Sequence, residues 1–174
     1  MSETLIIYSS TDGHTKTICF KILNLLKNPN LVKIISLEEA EAFNLSKYEK
    51  IIIGASIRYG KHNKRVYNFV KKNMNLLNQK KTAFFSVNVV ARKPEKNSPN
   101  TNPYVVKFLK DTNWKPNKVD VFAGKVDYPN YNFINKNVIR FIMMMTRGPT
   151  DTKNSFEFTN WDSVEKFAKE LNTI

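Results

Sequence analysis

The sequence predicts an α/β fold, a doubly wound parallel sheet with helices on both faces. Three observations support this prediction. Short apolar runs, at residues 5–8 and 51–55, are continuous rather than alternating, which is typical of strands buried on both faces of a parallel sheet. Stretches with helical periodicity alternate with such runs to the end of the chain. The first run passes through a short polar turn with one glycine into a helical pattern that begins at Thr15.

Five strands and four helices follow from this pattern along the chain. The strands are predicted at residues 5–8, 31–36, 51–55, 82–90 and 119–124. The helices are predicted from residue 15 and over residues 64–77, 104–109 and 161–171. The acidic segment between residues 36 and 50 has no clear pattern. Because parallel neighbours need right-handed crossovers, the strands should form one sheet, whose ligands lie beyond the carboxyl ends of the central strands.

Residues 125–151 exceed what a five-stranded sheet needs, and we predict an inserted segment here, within a single domain of residues 1–174. A helix is predicted over residues 133–147, which Gly148 and Pro149 end. One arc of this helix carries Ile134, Val138, Phe141, Ile142 and Met145, and the opposite side carries Lys136, Arg140 and Arg147. Two interpretations remain open: the helix lies on a membrane surface, or it packs on the body with its basic face in solvent.

The composition is that of a globular, single-domain protein: 174 residues, of which 41% are hydrophobic. The single cysteine, Cys19, excludes an internal disulfide, and no cluster of cysteine and histidine indicates a metal site. The chain start lacks the pattern of a signal peptide, and no stretch approaches the length of a membrane span. We therefore expect a cytoplasmic protein, able to associate with the inner face of the cell membrane.

The net charge of +13 is unevenly distributed. Residues 58–147 contain nineteen basic and four acidic side chains, a net charge of +15, whereas residues 151–174 have a net charge of −2. Such a field attracts nucleic acid, anionic lipid or an acidic small molecule, and a lysine-rich composition without functional meaning is the alternative. No nucleic-acid recognition motif is present, so we expect no nucleic-acid partner.

The loop between the first strand and the first helix predicts a phosphate-binding site. It consists of Ser9, Ser10, Thr11, Asp12, Gly13, His14 and Thr15. Backbone N–H groups and the positive end of a helix dipole meet there, and the hydroxyls of Ser10, Thr11 and Thr15 add donors. Neither G-x-G-x-x-G nor the P-loop pattern is present. Asp12 would repel a phosphate unless it turns away to cap the helix, and an ordinary polar turn with Asp12 as N-cap is the alternative.

This loop, Ser10-Thr11-Asp12-Gly13-His14-Thr15, resembles the hydroxyl-rich signature with which flavodoxins hold the phosphate of FMN. Residues 53–60 and 86–96 and the inserted segment resemble those of the bacterial flavodoxin-like protoporphyrinogen IX oxidases, which also have aspartate before the glycine of the first loop. The resemblance implies a flavodoxin-like sheet of strand order 2-1-3-4-5 and FMN as cofactor. It also implies six-electron oxidation of protoporphyrinogen IX to protoporphyrin IX in haem biosynthesis, with menaquinone or ubiquinone as acceptor.

In a flavodoxin-like fold, the loops after the third and fourth strands bracket the isoalloxazine ring of FMN. Those loops contain Ser56, Ile57, Arg58, Tyr59 and Gly60, and Ser86, Val87, Asn88, Val89, Val90 and Ala91. Tyr59 can stack on one face of the ring. The second loop has no aromatic residue, which leaves the other face open to a flat substrate.

Basic side chains in and after these loops are candidates to bind the two propionates of the tetrapyrrole. They are Arg58, Arg92, Lys93, Lys96, Arg140 and Arg147, and for each a solvated surface charge is the alternative. His14, His62 and solvent are the candidates for accepting the pyrrole proton, and no catalytic base is assigned. Two alternative functions remain, an electron-carrying flavodoxin and an NAD(P)H:quinone reductase. Flavodoxins are typically acidic, which argues against the carrier.

Overall fold

A five-stranded parallel sheet forms the centre of the protein. The structure, a computed structural model, describes residues 3–174. Its first six strands are β1 (Thr4–Ser9), β2 (Val32–Ser36), β3 (Lys50–Arg58), β4 (Lys61–His62), β5 (Lys81–Val87) and β6 (Lys118–Phe122). The parallel strands follow the order β2-β1-β3-β5-β6, and the short β4 pairs with β3 in the antiparallel sense. Counted over the parallel strands alone, this is the predicted order 2-1-3-4-5, which is therefore confirmed.

Helices cover both faces of this sheet. They are α1 (His14–Leu25), α2 (Leu37–Ala40), α3 (Lys64–Lys72), α4 (Met74–Leu77), α5 (Pro103–Thr112), α6 (Phe133–Met145) and α7 (Trp161–Leu171). Helices α1 and α7 pack together on one face, and α3 and α5 lie side by side on the other. Two further strands, β7 (Lys125–Asp127) and β8 (Ser155–Glu157), form a separate antiparallel pair.

The alternation of side chains along each strand produces two cores, one on each face of the sheet. In β1, Leu5 and Ile7 join the core beneath α3 and α5, whereas Ile6 joins the core beneath α1 and α7. All three side chains are fully buried, which explains why the first apolar run is continuous. In β5, Phe84 and Phe85 alternate in the same way.

Several predicted boundaries were wrong, each because a local hydrogen bond ends or extends an element. Strand β5 stops at Val87 instead of near residue 90, since the Asn88 side chain accepts the Ala91 N–H and starts a 3-10 turn. The helix predicted over 64–77 breaks at Asn73, whose amide donates to the Phe69 carbonyl. The helix predicted over 104–109 is longer at both ends. Asn102 caps its start, and the helix ends just before Asn113, which adopts a left-handed conformation and donates its N–H to the Leu109 carbonyl.

Two features near the carboxyl ends of the strands are absent from the sequence prediction. Strand β3 continues past residue 55 and turns into β4 through Tyr59 (φ 51°) and Gly60 (φ 76°). Positive φ at both central residues is the geometry of a tight hairpin turn, and it places a bulky tyrosine in a region that it rarely adopts. The inserted segment begins as strand β7, whose partner β8 lies beyond residue 151.

Helix α6 confirms the helix predicted in the inserted segment, although it ends at Met145 rather than at residue 147. The predicted apolar arc does not pack on the body: Ile134, Phe141 and Met145 are 70%, 58% and 69% exposed. The helix is attached instead through Met143, which is buried, and Ile139, which is half-buried. The helix therefore packs on the body, but through Met143 and Ile139 rather than through the predicted apolar arc. Within residues 3–174, no helix has the length and apolar character needed to cross a membrane.

Candidate active site

Two cavities meet at the carboxyl ends of the central strands. The first, of about 50 Å³, lies between the loop after β1 and the loops after β3, β5 and β6. The second, of about 110 Å³, is mainly apolar and lies beneath α6. Both are lined by Asp12, Ile57, Asn88, Val89 and Lys125, so they form one continuous site. This is the position at which doubly wound sheets bind ligands, because the strand order reverses there.

The loop after β1 has the features of a cradle for an anion. Gly13 adopts φ 85°, and no atom lies within 4 Å of the position that a Cβ would take there. The Thr15 hydroxyl is buried, 1% exposed as a residue, and has no hydrogen-bond partner within the described residues. An orphaned hydroxyl at a helix N-terminus is expected where a ligand completes the site. The Ser10 hydroxyl, in contrast, accepts the Gly13 N–H at 3.0 Å and shapes the loop.

The alternative in which Asp12 caps helix α1 is wrong. Gly13 occupies the N-cap position, and no side chain caps the helix there. The Asp12 carboxylate instead accepts hydrogen bonds from Arg58 Nη1 at 2.6 Å and from the Tyr131 hydroxyl at 3.3 Å. The Arg58 guanidinium also lies about 5 Å from the ring centroids of Tyr59 and Tyr131. Because the guanidinium neutralises the Asp12 carboxylate, the expected repulsion of a phosphate is removed.

His14 lines the smaller cavity, but its ring is held by the segment before α7. The Thr159 hydroxyl donates to the Ala123 carbonyl at 2.8 Å, so His14 Nε2, 2.6 Å from that hydroxyl, must donate its proton to it. Burial lowers the pKa of His14, which agrees with a neutral ring. The imidazole is thus a fixed wall of the cavity.

The loops after β3 and β5 bracket the apolar cavity. Nine of the eleven residues predicted in these loops line the two cavities: Ser56, Ile57, Arg58, Tyr59, Gly60, Val87, Asn88, Val89 and Val90. Ser86 and Ala91 do not line either cavity and are buried behind them. Tyr59 is 49% exposed, and its hydroxyl donates to the Asn135 side chain of α6. The inserted segment therefore closes over the loop after β3.

His62 is unsuited to accept a substrate proton. It is 2% exposed, surrounded by the rings of Tyr67, Phe84 and Phe108, and its Nε2 lies 2.9 Å from the Ser86 hydroxyl. Burial lowers the pKa of His62 to about 3, so that it is a weak base at neutral pH.

Most of the predicted propionate-binding residues lie away from the joined cavities. Arg58 lines the larger one, whereas Arg92, Lys93, Lys96, Arg140 and Arg147 line neither. Arg92 has a structural role: its guanidinium donates to the carbonyls of Val89 and Thr146 at 2.9 and 2.8 Å. These contacts tie the loop after β5 to the end of α6.

Several lining residues were missed by sequence reasoning. Lys125 lines both cavities and pairs with Asp127 at 3.1 Å, and its position just after a strand end was an available signal. Tyr131, Ile139, Ile142 and Met143 come from the inserted segment. No sequence pattern indicates that this segment folds back over the strand ends.

Comparisons with known proteins agree with this geometry. The model of the flavodoxin domain family matches residues 5–153. A protein of Leishmania major named protoporphyrinogen IX dehydrogenase (quinone) is 42% identical over 171 residues, covering 97% of this chain and 74% of that protein. A protein of Escherichia coli K12 with the same name is 39% identical over 170 residues, covering 97% of this chain and 94% of that protein.

A solved structure supports the fold. The structure of oxidised flavodoxin 1 from Bacillus cereus aligns over 99% of this chain and 98% of its own, with a TM-score of 0.54 and 14% identity. The family model and the two relatives together cover nearly the whole chain. The chain belongs to the flavodoxin-domain family and, within it, to the quinone-dependent protoporphyrinogen IX dehydrogenases.

Proposed function

We propose that this protein binds FMN in the joined cavities and oxidises protoporphyrinogen IX to protoporphyrin IX, with a quinone as electron acceptor. The observation that carries the proposal is the similarity of about 40% over nearly the full chain to dehydrogenases of that name. The cavities supply the independent support, because their residues fit the cofactor. The phosphate would be held at the N-terminus of α1, where the Thr15 hydroxyl lacks a partner.

The residues around the apolar cavity would position and shield the reacting groups. FMN, when bound, supplies the redox chemistry, acceptance of hydride equivalents from an electron-rich porphyrinogen and their transfer to a quinone. Ile139, Ile142 and Met143 exclude water from one side of the cavity. The Tyr131 hydroxyl, whose pKa burial raises, stays protonated and holds the Asp12 carboxylate in its pair with Arg58.

The assay is anaerobic oxidation of protoporphyrinogen IX, followed by porphyrin fluorescence, with menaquinone, with ubiquinone and without either. We expect porphyrin to accumulate over several turnovers only when a quinone is added. Reduction of the bound flavin by NADPH, measured by stopped flow, should be much slower than its reduction by the porphyrinogen. Faster reduction by NADPH would favour a quinone reductase, and reduction by neither compound would favour an electron carrier.

We also propose that the exposed face of α6 docks on a membrane with anionic lipids, at the inner face of the cell membrane. Phe133, Ile134, Phe141 and Met145 are each more than half exposed, an arrangement that is costly in water and suits a lipid boundary. The basic residues Lys136 and Arg140 lie on the other side of this helix, and Arg147 follows its end. Their long side chains can extend towards anionic head groups, and each charge that reaches the surface adds about 1 kcal/mol. Porphyrinogens and quinones both partition into lipid, so docking would bring them to the site.

Co-sedimentation with liposomes that contain anionic lipid tests this docking. Replacement of Ile134 and Phe141 by serine should abolish co-sedimentation, whereas replacement of the exposed Phe20 and Val106 by serine should not. Turnover with a water-soluble short-chain quinone should be unchanged in both variants. Equal liposome binding by both variants would refute docking through α6.

The inserted segment should be needed for this docking but not for folding. The two cores on the faces of the sheet contain no residue between 125 and 151, and the segment packs in a separate small cluster with Val126, Tyr128 and Met143. A variant with residues 126–149 replaced by a short Gly/Ser linker should therefore melt cooperatively. It should still bind FMN through the loop after β1, but more weakly, because Tyr131, Ile139 and Met143 are lost from the cavity lining. It should fail to bind liposomes and lose most quinone-linked turnover. Failure to fold would show that the segment belongs to the core.

A further inference from the structure

A third and much larger cavity, about 830 Å³ in volume, opens beside the proposed flavin site. This basic groove lies between the β3–β4 hairpin and the helices α3 and α5. Thr11 and Ser56 line both the groove and the smaller cavity, and Arg58 and Tyr59 line both the groove and the apolar cavity. A ligand in the groove would therefore extend directly to the flavin.

The charge of the groove is strongly positive. Lys61 projects from β4, and Lys64 and Lys71 are seven residues apart on α3, so that they share one face of the helix with Tyr67. Within residues 3–174, none of these three lysines forms an ion pair. The acidic residue that lines the groove, Asp111, is already paired with Lys107 at 2.9 Å. Three cations thus remain available to an anionic ligand.

The lining of the groove also contains a buried donor without an acceptor. The Asn88 side-chain oxygen accepts the Ala91 N–H, so its amide nitrogen donates to the Ser86 hydroxyl at 3.1 Å. Donation from that hydroxyl to His62 Nε2 satisfies both groups, which places the imidazole proton on Nδ1. In the part of the chain that the structure describes, His62 Nδ1 has no partner. His62 lines the groove, but Nδ1 itself is buried, so the charge of the three lysines, rather than this N–H, favours an anionic ligand there.

We propose that the basic groove binds the propionate carboxylates of the tetrapyrrole substrate, with Lys61, Lys64 and Lys71 as their partners. This inference rests on the proposed function. The apolar cavity of about 110 Å³ cannot hold a tetrapyrrole as well as a flavin ring, whereas the groove has the volume and the charge for the acidic edge of the molecule.

The test compares protoporphyrin IX with its dimethyl ester, in which both propionate charges are replaced by neutral methyl esters. Both are titrated into the FMN-loaded protein, and binding is followed by the change in porphyrin absorption. The groove variant carries Lys61→Gln, Lys64→Gln and Lys71→Gln. The matched control carries Lys27→Gln, Lys115→Gln and Lys169→Gln, which change the net charge equally at exposed positions outside the groove.

The wild-type and control proteins should bind the free acid about tenfold more tightly than the ester, because several partly exposed charge pairs form only with the acid. This ratio should decrease at high salt, which screens exposed charges. The groove variant should bind acid and ester alike and should retain its FMN affinity. If the groove variant still prefers the acid, the proposal is overturned. If it loses affinity for FMN, the groove belongs to the cofactor and the proposal is overturned as well. A third result is that the groove variant alone loses the preference for the acid while the wild type fails to oxidise the porphyrinogen. That result would support the groove assignment and refute the proposed function.

Discussion

Replacement of Thr15 by valine should have opposite effects on the stability of the apoprotein and on its affinity for FMN. Thr15 is the second residue of α1, and its hydroxyl is buried without a partner among residues 3–174. A buried polar group without a hydrogen bond destabilises a protein by about 1–3 kcal/mol. Valine keeps the branched shape and removes the hydroxyl. The apoprotein should therefore gain stability of this order.

The same substitution should weaken cofactor binding. A hydrogen bond from a hydroxyl to an ionised phosphate contributes about 1.5–3 kcal/mol, so its loss should reduce FMN affinity roughly tenfold or more. Urea denaturation of the apoprotein measures the first effect, and fluorescence titration of FMN measures the second. The Thr17→Val variant is the control, since Thr17 is exposed and makes only a 3.4 Å contact with the Gly13 carbonyl.

Either of two results would refute this reasoning. If Thr15→Val destabilises the apoprotein, its hydroxyl has a protein partner and is not reserved for a ligand. If Thr15→Val and Thr11→Ala both leave FMN affinity unchanged, the loop after β1 does not hold the phosphate. Riboflavin, which lacks the phosphate, should bind the wild type and Thr15→Val with equal affinity.

Three other predictions concern the cores and the inserted segment. In the folded protein the pKa of His62 is about 3, so below pH 6.5 the unfolded chain binds a proton at His62 and the folded protein does not. The free energy of unfolding therefore decreases as the pH falls below 6.5, by about 2 kcal/mol at pH 5.0. Urea denaturation at pH 7.5 and 5.0 measures this decrease. The decrease between the two pH values should be about 2 kcal/mol smaller in His62→Phe than in the wild type. The Gly54→Ala variant should lose about 1–3 kcal/mol or more, measured as a lower denaturation midpoint, because the new Cβ overlaps the Phe85 ring. The Arg92→Ala variant should speed amide hydrogen exchange in α6 but not in β1, because its hydrogen bonds to Thr146 are lost.

Each of these predictions has an outcome that contradicts it. An unchanged pH dependence in His62→Phe would mean that His62 is protonated in the folded protein near neutral pH. Wild-type stability of Gly54→Ala would mean that the sheet moves to admit a methyl group. Arg92→Lys keeps the charge but lacks the planar fork, so slow exchange in Arg92→Lys together with fast exchange in Arg92→Ala would assign the effect to charge alone.

Local sequence patterns predicted the sheet and the strand–turn–helix loop that we propose holds the phosphate of FMN. The continuous apolar runs around Ile6 and Ile52 and the strand–turn–helix around Gly13 are local patterns, produced by burial on both faces and by backbone conformation. Most element boundaries were placed within a few residues, and three of the errors arose at Asn73, Asn88 and Asn102, whose side chains end or start an element. Local patterns of this kind are visible in a linear sequence because the interacting residues are neighbours.

The contacts that complete the candidate site join residues far apart in the sequence and became visible only in the folded chain. Asp12 is neutralised by Arg58, 46 residues away, and held by Tyr131, 119 residues away, whereas local reasoning made it a helix cap. The basic groove likewise places Lys61, Lys64 and Lys71 opposite α5, a later helix that contributes Lys107 and Asp111 to its lining. Periodicity predicted that α6 is amphipathic but not that Met143 attaches it and leaves the apolar arc exposed. Such contacts depend on the packing of distant segments, which leaves no short-range pattern in the chain.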